Sequence, residues 1–135
     1  MFSRFRTEIK VRPDDIDMNN HVHFSKYMDY VLAARYDQMV NNYKMSMKEF
    51  IDIGYNWFVS ESNVKYLRQL NLEDTAVVET GLTGYSGAQC TVTFQIYRKS
   101  NMKLAAEGSF VYTMVSIKTG RPVAIPEEII EKYSV

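Results

Sequence analysis

The chain has 135 residues, 46% of them hydrophobic and 24% charged, and its 16 Lys+Arg are balanced by 16 Asp+Glu. These are the proportions of one globular domain. They exclude intrinsic disorder and collagen-like repeats, and zero net charge removes the broad positive field that draws proteins to nucleic acid or anionic membrane. Cys90 is the one cysteine, no apolar run approaches the ~18 residues of a membrane-spanning helix, and MFSRFRTEIK lacks the apolar stretch of a signal peptide, so a cytoplasmic location is expected.

Phe5, Thr7, Ile9 and Val11 alternate with Arg4, Arg6, Glu8, Lys10 and Arg12, the period of a half-exposed strand, which Pro13 ends because proline has no N–H for the ladder. Pro13 to Asn20 (PDDIDMNN) reads as a polar loop, after which His23 or Ser25 opens a helix. From Phe24 to about Asn42 there is neither Pro nor Gly. Phe24, Tyr27, Met28, Val31, Leu32, Ala34, Arg35 and Met39 recur there at helical spacing, and so wide an apolar face predicts a helix packed on a sheet. Ser46 and Glu49 have capping-box spacing ahead of a short helix, 47–53, stopped near Gly54. Strands follow over 57–67, 75–85, 88–99 and 103–116, mostly joined by hairpins, and on the third of them Cys90, Val92, Phe94 and Ile96 alternate with polar neighbours. That pattern makes Cys90 a small core residue rather than a nucleophile. Pro126 opens a last helix, Glu127 to Tyr133. The order describes a single α+β domain, 1–135: an antiparallel sheet carrying one long helix, with exposed edges that predict self-association.

Asp14, Asp15, Asp17, Asn19, Asn20, His21 and His23 crowd the loop before the long helix. Amides at a helix start are unpaired and partly positive, so they can hold an oxyanion, and a neighbouring carboxylate can serve as nucleophile or general base. The loop is therefore a candidate acyl-transfer site, although on composition alone helix capping is the commoner role of such residues. His21 and His23 lack further ligands at zinc-site spacing, and no metal is expected.

Val11-Arg-Pro-Asp-Asp-Ile-Asp-Met-Asn-Asn-His-Val-His-Phe-Ser-Lys-Tyr27 resembles the pattern V-R-x-x-D-x-D-x-x-G-H-V-N-x-x-x-Y of hotdog-fold acyl-CoA thioesterases of the 4-hydroxybenzoyl-CoA thioesterase type, with Asp15, Asp17, His21, Val22 and Tyr27 in register. The stretches 59–67 and 119–126 resemble that family's second strand and C-terminal ending, so nearly the whole chain is covered. The resemblance implies a five-stranded antiparallel sheet wrapped around the long helix, and homodimers or homotetramers with active sites at the dimer interface. It implies an acyl-CoA substrate with no cofactor beyond the coenzyme A that the substrate carries. Asp17 matches the catalytic aspartate and the oxyanion hole falls at the backbone N–H groups near Phe24, while Asn19 and His21, the Asn and His of a related acyl-ACP thioesterase pattern, are candidates to support Asp17 in catalysis. Tyr27, Glu61 and Ser86 are candidates for substrate contact. For Tyr27 core packing is the alternative, shared with Tyr30 and Tyr36. Lys65, Arg68, Arg98, Lys99 and Lys103 are the basic side chains available to coenzyme A phosphates.

The family's glycine before the histidine is Asn20 here, and its Asn after His-Val is His23. Asparagine is the next most tolerant residue of a left-handed backbone, so the turn survives in expectation. Asp17-Met-Asn-Asn-His21-Val also resembles the D-x-N-x-H-V of acyl-ACP thioesterases, whose further acidic and cysteine positions fall at Lys65 and Tyr66. That pattern is half matched. An acyl-ACP thioesterase and a non-catalytic acyl-thioester binder are the alternatives. A hotdog dehydratase is weaker, because no histidine follows residue 23.

Overall fold

Alternating apolar residues build the strands, and strand pairing decides where the long helix must lie. The structure is a computed structural model describing residues 2–135. In chain order the described residues form β1 (Arg4–Lys10), a 3-10 turn (Pro13–Asp15), α1 (Phe24–Asn41), α2 (Met47–Asp52), β2 (Tyr55–Tyr66), β3 (Thr75–Ser86), β4 (Gln89–Arg98), β5 (Lys103–Ser116) and α3 (Glu127–Tyr133). One antiparallel sheet has the order β1-β3-β4-β5-β2. β3, β4 and β5 are joined by hairpins as expected. β2 and β3 are not, because β2 leaves to pair with β5 at the far edge. Among the described residues no helix is long and apolar enough to cross a membrane.

The alternation read in β4 is the alternation observed: Cys90, Val92, Phe94 and Ile96 are buried. Their cross-strand partners Tyr112, Phe110 and Ala106 on β5, and Leu82, Thr80 and Val78 on β3, share that face. α1 lies on it through Tyr27, Val31, Ala34, Arg35 and Gln38. Each fully buried aromatic or aliphatic side chain here contributes about 1.5–3 kcal/mol of hydrophobic stabilisation.

The helix departs from expectation on one flank. Phe24, Leu32 and Tyr36, assigned to the core by their spacing or type, are 63%, 36% and 54% exposed. Tyr27 and Tyr30 are buried as core packing requires. The exposed flank faces β2, whose inner face is thinly covered: Val59 and Ser62 pair with buried Tyr112 and Phe110, yet both are open to solvent. Gly108 holds β2 close to the sheet, because a Cβ there would stand 1.9 Å from the Asn63 carbonyl oxygen. Pro13–Asp15, read as loop, is a 3-10 turn in which the Asp15 carboxylate accepts the Arg12 amide at 3.1 Å.

Candidate active site

His23 is the residue that opens α1. Its Nδ1 accepts the Ser25 amide at 3.2 Å. The Val22 amide donates to the Leu70 carbonyl, the His23 amide to the Asp15 carbonyl and the Lys26 amide to the His23 carbonyl. Every backbone N–H from Val22 to Lys26 is thus engaged except that of Phe24, the first residue of the helix, for which these bonds leave no acceptor. An unpaired amide at that position carries the positive end of the helix dipole.

The Asp17 loop folds back on itself just before it. Asp17 N–H donates to His21 O at 2.9 Å, Asn20 N–H donates to Asp17 O at 3.1 Å, and Ile16 bridges Val22. Asp17 Oδ1 accepts the amides of Asn19 at 2.8 Å and His21 at 3.4 Å. These bonds leave Oδ2 uncommitted. Asn20 takes φ +62°, the left-handed conformation that the family's glycine would supply, so the substitution keeps the turn.

Buried groups hold the loop from beneath. Asp15 is 6% exposed, and its Oδ2 accepts the Tyr30 hydroxyl at 2.7 Å. Burial and that hydrogen bond push the Tyr30 phenol far above its ordinary value. The Tyr27 oxygen accepts the Leu70 amide at 3.1 Å, next to the carbonyl that holds Val22, and burial raises its phenol as well. Asp15 therefore braces the loop, bonded to both the Tyr30 hydroxyl and the Arg12 amide.

Asp17, Phe24 and Tyr27 line one cleft of about 270 Å³. Asn19 and His21 are on the same loop. Asn19 is exposed, His21 is half-buried and bridges Asn71 through its backbone. The opposite wall is Tyr66, Arg68 and Gln69 at the end of β2. The Tyr66 hydroxyl donates to the Phe24 carbonyl at 3.2 Å, and its ring stands edge-on to Phe24 and Tyr27. Sequence reasoning placed Tyr66 only by alignment and missed Gln69. The wall forms because β2 crosses to the far edge, which no local pattern announces. Within the single chain Glu61 and Ser86 are not in this cleft. Glu61 pairs with Val111 on the other face of β2, and Ser86 lines a separate hollow with Thr83 and Gln89 at the β3–β4 turn. Cys90 is buried, and burial pushes its thiol up to about 12, so it holds no thiolate near neutral pH.

The pattern of the Thioesterase-like superfamily matches residues 11–133. The chain belongs to that superfamily. Over 127 residues this thioesterase-like chain is 24% identical to the long-chain acyl-CoA thioesterase FadM of Escherichia coli K12, covering 94% of this chain and 95% of the relative. Its fold superposes on a DHNA-CoA thioesterase from Staphylococcus aureus with a TM-score of 0.89 at 22% identity, covering 97% and 89% of the two chains. A thioesterase from Thermus thermophilus, crystallised with coenzyme A and Zn, gives a TM-score of 0.81 at 25% identity over 95% and 90%. The sheet and helix of the thioesterase-like chain are those of the hotdog fold.

Proposed function

We propose that the protein hydrolyses acyl-CoA thioesters to the free acid and coenzyme A. The observation that carries this reading is one cleft holding both a carboxylate with an uncommitted oxygen, Asp17, and an unpaired helix-start amide, Phe24. The thioester carbonyl sits against the Phe24 N–H. Asp17 Oδ2 either attacks the carbonyl carbon, expelling the coenzyme A thiolate and leaving a mixed anhydride that water then cleaves, or takes a proton from an attacking water, whose adduct collapses with loss of the thiolate. Negative charge developing on the carbonyl oxygen meets the amide and the helix dipole, an arrangement worth about 3–4 kcal/mol per donor. Asn19 and His21 act through their backbone amides on the Asp17 carboxylate. Tyr27 and Tyr66 close the cleft walls, and Arg68 is the one cation among the residues that line the cleft. The reaction needs no cofactor beyond the coenzyme A of the substrate.

The protein works as a homo-oligomer on this reading. β2 is an edge strand that exposes Phe58, Val59 and Tyr66, with Leu67 just beyond its end, and pairing two such edges would cover them. Glu61 lies on that strand, so its contact with substrate is assigned across the pair, and Ser86 is assigned to the coenzyme A end.

Thiol release from a panel of short, long and aromatic acyl-CoAs tests the reading. Asp17→Asn should lower turnover by roughly 100-fold or more with the fold retained. Unchanged turnover in that variant would remove Asp17 from the chemistry, and release from an acylated carrier protein but not from coenzyme A would reassign the carrier.

A further inference from the structure

Arg35 lies in the core, 2% exposed. Its Nη1 donates to Thr80 Oγ1 at 3.0 Å and Tyr43 OH at 3.3 Å, and its guanidinium lies over the Tyr43 ring at 5.1 Å. Among the described residues no Asp or Glu forms an ion pair with it. A buried cation without an anion is costly, and so is a buried donor without an acceptor.

Arg35 lines a small void with Trp57, Tyr85, Cys90, Tyr112 and Tyr133. Among the described residues Arg35 Nε and Trp57 Nε1 are buried without a hydrogen-bond partner, and buried Tyr85 OH has only the Ser134 hydroxyl beside it. Every one of these atoms is a donor. Burial holds Cys90 and Tyr85 neutral, pushing each up to about 12, so the guanidinium is the one formal charge on the wall. The void offers about 20 Å³ to the centre of a water-sized group, room for one water as it stands, so a larger head group enters only if the wall opens.

The void also has a neighbour. Met39, Trp57 and Tyr112 form part of its wall and part of the wall of an apolar groove whose other side is Leu32, Tyr36 and Val59. That groove occupies the gap between α1 and β2. The same two elements supply Phe24 and Tyr66 to the Asp17 cleft. From Phe24 to Arg35 is three turns of α1, about 16 Å on one side of the helix.

We propose that the Arg35 void is a carboxylate site, and that its occupant is a carboxylate at the far end of the acyl group. The thioester lies at Asp17 and Phe24, the methylenes lie along Leu32, Tyr36 and Val59, and the distal carboxylate accepts from Arg35, Trp57 and Tyr85. Entry requires the shared wall of Met39, Trp57 and Tyr112 to move. This assignment deepens the thioesterase reading and rests on it for the position of the thioester.

Two measurements test it. Trp57 is the one tryptophan in the chain, so its emission reports directly on the void. Titration with an α,ω-dicarboxylic acid should change that emission saturably, at least tenfold more tightly than the monocarboxylic acid of equal length, and Tyr85→Phe should weaken the response. In thiol release, an ω-carboxyl acyl-CoA should have a kcat/KM at least tenfold above its methyl-ended twin, a ratio that collapses in Trp57→Phe and Tyr85→Phe. Tyr85→Phe keeps the volume of the core and Trp57→Phe keeps an aromatic ring there, whereas Arg35→Met risks the fold. Equal kcat/KM for the two substrates together with an unresponsive Trp57 overturns the proposal. If formate alone changes the emission and the dicarboxylic acid has no advantage, the void takes a free small anion and the acyl assignment is overturned. A saturable dicarboxylic acid response with no thiol release from any substrate upholds the carboxylate site and removes the hydrolase reading instead.

Discussion

Asp15 and Asp17 stand two residues apart in opposite surroundings. Asp15 is buried under the Tyr30 hydroxyl and the Arg12 amide, whereas Asp17 is half-buried with one oxygen uncommitted. Removing the first should cost stability and removing the second should cost turnover. Asp15→Ala leaves the buried Tyr30 hydroxyl without its acceptor, a loss of about 1–3 kcal/mol in urea denaturation. Tyr30→Phe in the same background should restore part of it, since deleting both partners leaves nothing unpaired. Additive losses would mean that the bond does not couple the two residues. The Phe24 amide calls for a different substitution. Phe24 is the first residue of α1, where proline is tolerated, and His23 at φ −60° and ψ 138° has the extended backbone that precedes proline without strain. Phe24→Pro deletes the N–H and keeps the helix. Turnover should fall by about 100-fold, while Phe24→Ala, which keeps the N–H, falls far less. Similar losses in both variants, with circular dichroism unchanged, would shift the role from the amide to the ring.

At the scale of elements, Gly108 sets the position of β2 and so of the wall that faces Asp17. Gly108→Ala forces a Cβ against the Asn63 backbone, and the strand must move. The cost should be about 1–3 kcal/mol, and a movement of β2 should appear as a raised KM. An unchanged melting temperature would show that β2 adjusts freely. β4 shows what a sequence makes legible, since Cys90, Val92, Phe94 and Ile96 alternate because one side of the strand is core. The Asp17 loop was legible for another reason: a polar cluster before a helix has few uses, and its residues matched a known pattern. The exposed flank of α1 was not legible. Spacing marks Phe24 and Leu32 as apolar helix positions but carries no information about whether another element covers them. Nor could the loop reveal its opposite wall, because Tyr66 and Gln69 reach it only through the pairing of β2 with β5, more than forty residues further along. The 3-10 turn at Pro13–Asp15 was hidden by its composition, which suits an open loop equally well.

For the molecule as a whole, the aromatic and thiol groups of the core set an alkaline limit. Burial pushes Cys90 and Tyr85 up to about 12, against ordinary values of 9.0 and 10.0 that apply in the unfolded chain. The folded state therefore keeps these protons while the unfolded state loses them. Their contribution is fully present below pH ~9 and is lost as pH rises towards ~12, since stability falls wherever the folded state binds more protons. Denaturant midpoints measured from pH 8 to 11 should decline. In native protein at pH 8 a thiol reagent should modify Cys90 only as fast as the chain opens. Rapid modification without denaturant would contradict the burial of Cys90.

The uncovered flank of α1 separates two kinds of inheritance. The Asp17 loop hangs from Asp15, Tyr27, Tyr30 and Leu70, all buried, so changes to these four anchors endanger folding along with chemistry. Leu32, Tyr36 and Val59 are open to solvent, and substitutions at such places usually alter stability by no more than about 0.5 kcal/mol. With the acyl chain along this flank, as proposed, descendants of this chain can alter the length and shape of the acyl group they accept there, mutation by mutation, while the reaction they perform stays fixed.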